Sequence, residues 1–171
     1  MKVLHIFDFD DTLVSSDSSV VINHGDGTQS VLSSDEYATY DEAPGDDLDF
    51  SDFDKYPENA VIIGPVFSEL LKAISKDGKD SVTILTAREN PVPVKDFLFD
   101  NGIKNIEVQA VGSSNPREKA NYVLKRIKEE GIDLVRVFED NAKNIREIRK
   151  VVKENGEVKL QTYRVVEGKI I

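Results

Sequence analysis

Cysteine is absent from the chain, which excludes a disulfide framework, a thiolate metal site and a cysteine nucleophile. Long apolar runs are missing as well, and none approaches the ~18 residues of a membrane-spanning helix. The N-terminus reaches Asp8 too soon to carry the apolar stretch of a secretory signal. Histidine is scarce: neither His5 nor His24 has partners at metal-ligand spacing. A basic excess is also lacking. Acids outnumber Lys and Arg by 32 to 22, a net charge of −10 with a pI near 4.7, so the basic groove usual in nucleic-acid binding is not in evidence. These absences lead us to expect a cytoplasmic protein with no membrane partner.

What is present suffices for one domain with a substantial core: 171 residues, 39% of them hydrophobic. The charge is unevenly placed. Residues 35–58 ("DEYATYDEAPGDDLDFSDFDKYPE") carry ten acids and one lysine, while the rest of the chain is almost balanced. This stretch is a compositional unit of its own, too rich in Tyr and Phe for a disordered acidic tract.

Periodicity supplies the layout. Residues 2–8 read as a buried strand, and "SVVINHGDGTQSVLS" as a hairpin with β-branched arms around a His-Gly-Asp-Gly turn. "SDEYATY" predicts a short helix with Ser34 as its N-cap. From residue 61 the pattern alternates: helix 65–77, strand 81–86, helix 91–101, strand 106–111, helix 116–130, strand 134–139, helix 141–154. Gly78, Gly102 and Gly131 follow helical stretches as stop signals. Residues 157–171 read as a last strand with a hairpin at Glu167-Gly168. Such alternation predicts a three-layer α/β/α domain around a parallel sheet, with ligands at the carboxyl ends of the strands.

The polar clusters fall on that edge. Asp8 and Asp10 end the first strand, Thr86 ends "SVTILT", and Glu139 and Asp140 end "LVRVFED". Lys119 lies in the first turn of the helix that opens at Ser114-Asn115-Pro116. An ammonium there opposes the helix dipole by ~0.3–1 kcal/mol, which hints at an anionic partner. Acids, a hydroxyl and an ammonium thus converge on one rim.

"DFDDTL", "ILTAR", Lys119 and "FEDNAKN" resemble, in order and spacing, the four motifs of the haloacid dehalogenase (HAD) superfamily, whose members are mostly Mg²⁺-dependent phosphatases and phosphotransferases. The resemblance covers nearly the whole chain and leaves residues 15–60 as an insert. It is nearest to small HAD-like hydrolases of the type found in some phage genomes. It implies a single HAD-like domain over residues 1–171, a Rossmann-like sheet in the strand order 3-2-1-4-5, and an insert acting as a small cap where substrate choice would lie.

The groups themselves support that chemistry. A carboxylate at Asp8 can attack phosphorus and form an aspartyl-phosphate, dividing a hard hydrolysis into two easier steps. Asp10 points the same way in a strand and can protonate the leaving oxygen, while its carbonyl joins Asp8, Asp140 and Glu139 as an oxygen set suited to Mg²⁺. Thr86 can hold the phosphoryl oxygens and Lys119 can neutralise the charge that builds on them. Arg88 is open between holding a distal phosphate or leaving group and pairing with Glu89. Asn144 is open between bonding Asp140 or Lys119 and an ordinary helix-start amide. Thr12 braces the turn, Asp11 faces solvent by alternation, and "GDG" at 25–27 is turn chemistry. The aromatics Tyr37, Tyr40, Phe50, Phe53 and Tyr56 anchor the insert, or offer stacking groups.

Three functions follow. The first is a phosphomonoester hydrolase acting on a small phosphorylated metabolite or nucleotide. The second, weakened by the acidic insert, is a nucleic-acid end phosphatase. The third is a regulatory module that binds metal without turnover.

Overall fold

The computed structural model describes all residues 1–171. Along the chain the elements are β1 (Val3–Phe7), β2 (Val14–Ser15), β3 (Ser19–Asn23), β4 (Gln29–Ser33), α1 (Ser34–Ala38), β5 (Asp47–Asp49), β6 (Val61–Ile62), α2 (Gly64–Asp77), β7 (Val82–Thr86), α3 (Val92–Asp100), β8 (Glu107–Ala110), α4 (Pro116–Glu130), β9 (Leu134–Glu139), α5 (Ala142–Glu154), β10 (Lys159–Val166) and β11 (Lys169–Ile170). From α2 onward the boundaries lie close to those the periodicity predicts. None of these helices is long and apolar enough to cross a membrane.

Six strands form the central sheet in the order β11-β10-β9-β1-β7-β8, parallel throughout except where β11 folds back on β10. Counting only the five parallel strands, this is the 3-2-1-4-5 order. The return to β11 uses Glu167 and Gly168, both at positive φ (49° and 76°), the backbone that a tight two-residue hairpin requires.

Helices cover both faces, so the inner strands need apolar residues on both sides instead of alternation. Every residue of β7 is buried. On one face Phe7, Ile84 and Phe138 pack against Leu70 of α2 and Leu98 of α3. On the other, Ile6, Leu85 and Val137 pack against Val123 of α4 and Ile148 of α5. Each such side chain contributes ~1.5–3 kcal/mol by leaving water. Phe7, Phe138 and Tyr163 also stack in a row across β1, β9 and β10, with centroids 4.6 and 4.5 Å apart.

Register is what positions the site. Phe7 lies opposite Phe138 on one side and Ile84 on the other, so Asp8, Glu139 and Thr86 leave the sheet at the same end. α4 starts beside them, with Asn115 as N-cap accepting from the Arg117 N–H at 3.0 Å and Pro116 in its first turn.

The segment after β1 leaves and returns at one place, where β2 and β6 pair antiparallel. Between them β4, β3 and β5 form a separate antiparallel sheet. The expected hairpin is β3–β4. Its tip is tied to the approach to β5: His24 Nδ1 lies 2.7 Å from Asp46 Oδ1. A side chain at Gly45 (φ +88°) would meet the Gly25 Cα at 3.3 Å. The N-cap of α1 is Ser33, not Ser34. Glu36 decides this, because its carboxylate accepts from the Ser33 N–H while the Ser33 hydroxyl accepts from the Glu36 N–H, a capping box.

Candidate active site

Asp8 follows the last residue of β1, and its main-chain N–H donates to the Phe138 carbonyl at 3.0 Å. Its side chain is buried, and each carboxylate oxygen accepts one hydrogen bond. Lys119 Nζ donates to Oδ1 at 2.8 Å and the Thr12 hydroxyl to Oδ2 at 2.9 Å. The same ammonium donates to Glu139 Oε2 at 2.8 Å. Thr12 Oγ1 in turn accepts the Asp140 N–H at 3.1 Å. Thr12 therefore braces the β1 turn against the end of β9, as expected of it.

Asp8, Glu139 and Asp140 bring carboxylate oxygens within 4.8 Å of one another. Burial alone would raise Asp8, but the adjacent ammonium and its hydrogen bonds outweigh that and hold it below the usual carboxylate range. Its two neighbours go the other way: burial, and then the Asp8 charge, push both Glu139 and Asp140 upward. Burial would likewise lower Lys119, yet the Asp8 and Glu139 charges keep it raised and protonated. With all three acids ionised, one ammonium leaves two negative charges uncompensated, which one divalent cation would balance. All the donors are hard oxygens, the set Mg²⁺ takes. The Asp10 carbonyl, which accepts no hydrogen bond from the protein, lines the same pocket. The residues present fit that ion.

Asp10 is not free at the pocket as its expected role as acid requires. Its carboxylate stands outside the cluster, held in a bidentate pair by Arg88: Nε to Oδ2 at 2.9 Å and Nη2 to Oδ1 at 2.8 Å. Arg88 is therefore neither free for a distal phosphate nor paired with Glu89. It is only 5% exposed, lies between the rings of Phe9 and Phe53 at 5.3 and 5.0 Å, and donates Nη1 to the Phe53 carbonyl at 2.9 Å. One guanidinium thus ties the turn after β1 to the inserted segment.

Of three other residues, Thr86 and Asp11 depart from expectation. Thr86 is fully buried behind the pocket wall, with Oγ1 accepting the Arg88 N–H at 3.2 Å. The turn out of β7 uses this hydroxyl, so it does not face the pocket. Asn144 lines the pocket but bonds neither Asp140 nor Lys119. Asp11 is not solvent-facing filler: the chain turns there with φ 61°, a strained value for a non-glycine residue. Its carboxylate accepts from the Ser34 hydroxyl at 2.5 Å, and burial raises it to about 6. The third acid of "DFDD", Asp11, was the available signal for a residue that tolerates left-handed backbone.

Above the cluster lies a pocket of about 750 Å³, with the central sheet's carboxyl edge as floor and the inserted segment as wall. Asp10 and Ala87 line it, and their main-chain N–H groups donate to no protein acceptor. The aromatics divide. Phe53 sits on Arg88, and Tyr56 packs on Phe97 at 6.1 Å while donating to Asp100 at 2.7 Å, so both anchor the insert. Tyr40 donates to Asp46 at 2.5 Å, within the insert. Tyr37 and Phe50 pack edge to face at 5.3 Å and line the pocket. The chain matches no protein-family model, no curated protein and no solved structure.

Proposed function

We propose that this protein is an Mg²⁺-dependent phosphomonoester hydrolase with a Rossmann-like, HAD-like core, acting through an aspartyl-phosphate on Asp8, with the insert as a small cap. The observation that carries this reading is the state of Asp8. It is a buried carboxylate kept ionised by Lys119 and Thr12, at the floor of a pocket whose lining residues Asp10 and Ala87 have N–H groups with no protein acceptor.

A phosphomonoester would enter with its phosphoryl group against the Asp10 and Ala87 N–H groups. Asp8 Oδ2 or Oδ1 forms the new bond to phosphorus as the bond to the leaving oxygen breaks. Lys119 spreads the charge that moves from Asp8 to the phosphoryl oxygens. To act as the acid, Asp10 would leave Arg88 and take up a proton from solvent, then pass it to the leaving oxygen, and it would take one back from the water that hydrolyses the acyl phosphate. Asp8, Glu139, Asp140 and the Asp10 carbonyl would hold Mg²⁺, whose chemistry is to draw negative charge away from phosphorus and fix the phosphoryl group in line. In this role Thr86 shapes the turn that presents Ala87 and does not bind phosphate directly.

The test is hydrolysis of an aryl phosphate with and without Mg²⁺, wild type beside Asp8→Asn, with hydroxylamine trapping of the acyl phosphate. Metal-dependent turnover lost in Asp8→Asn, with an adduct on Asp8, is expected. Undiminished turnover by Asp8→Asn would refute the covalent route, and metal binding with no turnover of any ester would favour a regulatory module.

A further inference from the structure

Every buried cation at the pocket is already committed. Lys119 spends its charge on Asp8 and Glu139. Arg88 spends its own on Asp10, with its remaining donor on the Phe53 carbonyl. Lys143, an exposed side chain, is the only other base lining the pocket. Away from the Asp8 cluster the lining acids Glu42, Asp54 and Glu89 are exposed, and their carboxylates accept no hydrogen bond. A substrate's phosphoryl group therefore finds its place at the floor, but a second anionic group on the same molecule finds no buried cation, only the exposed Lys143 set against Glu42, Asp54 and Glu89.

The apolar part of the wall points the same way. Tyr37 and Phe50 present an edge-to-face pair, backed by Val20 and Leu48. Phe50 remains 41% exposed, so part of its ring is open to a ligand in the pocket. Tyr37 is steadied from the opposite wall, its hydroxyl 3.3 Å from Ser114 Oγ. A ring leaving this pair uncovered in water would gain by stacking on it, and a positive charge on that ring's substituent would be favoured by the aromatic faces and the free carboxylates together. About 750 Å³ accommodates a phosphoryl group and an alcohol of one or two rings.

We propose, resting on the phosphatase reading above, that the substrate is a phosphomonoester of a ring-bearing alcohol with no second negative charge, its ring seated against Tyr37 and Phe50. Esters with a positively charged substituent are preferred over neutral ones, and neutral ones over those with an added carboxylate or phosphate. Nucleoside bisphosphates, nucleoside polyphosphates and oligonucleotide ends are excluded as efficient substrates for the same reason.

A matched pair of esters isolates the charge from the leaving group. Tyramine phosphate and the phosphate of 3-(4-hydroxyphenyl)propionate are both alkyl-substituted phenyl esters of similar size, one with an ammonium and the other with a carboxylate. In Mg²⁺ and low salt, kcat/KM should favour tyramine phosphate by roughly ten-fold, a ratio worth ~1.4 kcal/mol. The ratio should fall toward one at high salt. It should also fall in the triple variant Glu42→Gln, Asp54→Asn, Glu89→Gln. Phe50→Ala should raise KM for both ring esters several-fold and leave kcat/KM for glycerol phosphate within two-fold. Equal or reversed kcat/KM for the matched pair would overturn this inference while leaving the phosphatase reading intact. Equal losses of Phe50→Ala on ring and glycerol esters would overturn the ring seat. Absence of turnover of every ester would instead overturn the phosphatase reading, and this one with it.

Discussion

Replacing Lys119 by Met removes the one cation among three clustered acids, two buried and one half-buried, while keeping a side chain of similar length. The ammonium sits 2.8 Å from both Asp8 and Glu139 and is 3% exposed. Asp8, Glu139 and Asp140 would then face one another with oxygens within 4.8 Å, a repulsion of ~3 kcal/mol per ionised pair at an effective dielectric constant of ~20. Breaking a buried pair by deleting one partner costs ~3–5 kcal/mol. In a chain of this size each kcal/mol moves Tm by ~2–4 °C, so the fall expected in chelator near neutral pH is roughly 6–20 °C. Protons offer an escape, since Glu139 and Asp140 are already displaced upward, and the fall should shrink as the pH is lowered. A divalent cation should recover part of it by supplying the missing positive charge. Thermal unfolding of wild type and Lys119→Met, with chelator and with Mg²⁺, reads all three effects. An unchanged Tm in chelator at mildly alkaline pH would refute the claim that this ammonium holds the acids together.

Mg²⁺ should raise the wild-type Tm more at about pH 8 than at about pH 5, because raised acids make the folded state hold protons that the unfolded chain releases. The stability owed to Glu139 and Asp140 is complete below the ordinary carboxylate range and is lost as pH rises through their displaced values; an equal Mg²⁺ shift at both pH values would contradict this. Asp10→Asn should slow esters with poor leaving groups far more than activated aryl esters, and equal losses would reduce Asp10 to a partner for Arg88. Arg88→Met should free the Phe53 carbonyl and the Asp10 carboxylate together, seen as faster proteolysis within residues 35–58 at a temperature where the core stays folded. Unchanged proteolysis would mean that the insert is held by its other ties, among them Tyr56, Ser34 on Asp11 and the β2–β6 pair.

The core was legible because its signals are local. Apolar runs between helical stretches, each closed by a glycine or opened by a proline, give the elements of the parallel sheet. Phe7 opposite Phe138 then follows from burying both faces of β1. The convergence of Asp8, Lys119, Glu139 and Asp140 was legible for the same reason, since each stands at a strand end or helix start. Even the misplaced start of α1 was written in the chain: Ser33 and Ser34 are both competent caps, but only Ser33 has a glutamate three residues on.

What sequence reasoning missed depends on where regular geometry stops. Alternation assigns Asp10 to one side and Asp11 to the other only while the chain stays extended, and β1 ends at Phe7. By Asp11 the backbone has turned left-handed, so the two-residue period no longer says where either carboxylate goes. Asp10 instead meets a guanidinium 78 residues away in the sequence. That contact exists because β1 and β7 are neighbours and because Thr86 spends its hydroxyl on the turn that aims Arg88 inward. The consequence reaches the chemistry. Whether a proton or Arg88 neutralises Asp10, the other three acids and Lys119 leave two charges for one divalent ion to match, but in the structure it is Arg88 that does so. The same contact fixes the Phe53 carbonyl beside the site. The group that compensates the proposed acid is therefore also the group that holds the insert in place, and a substrate that draws Asp10 toward its leaving oxygen must loosen both.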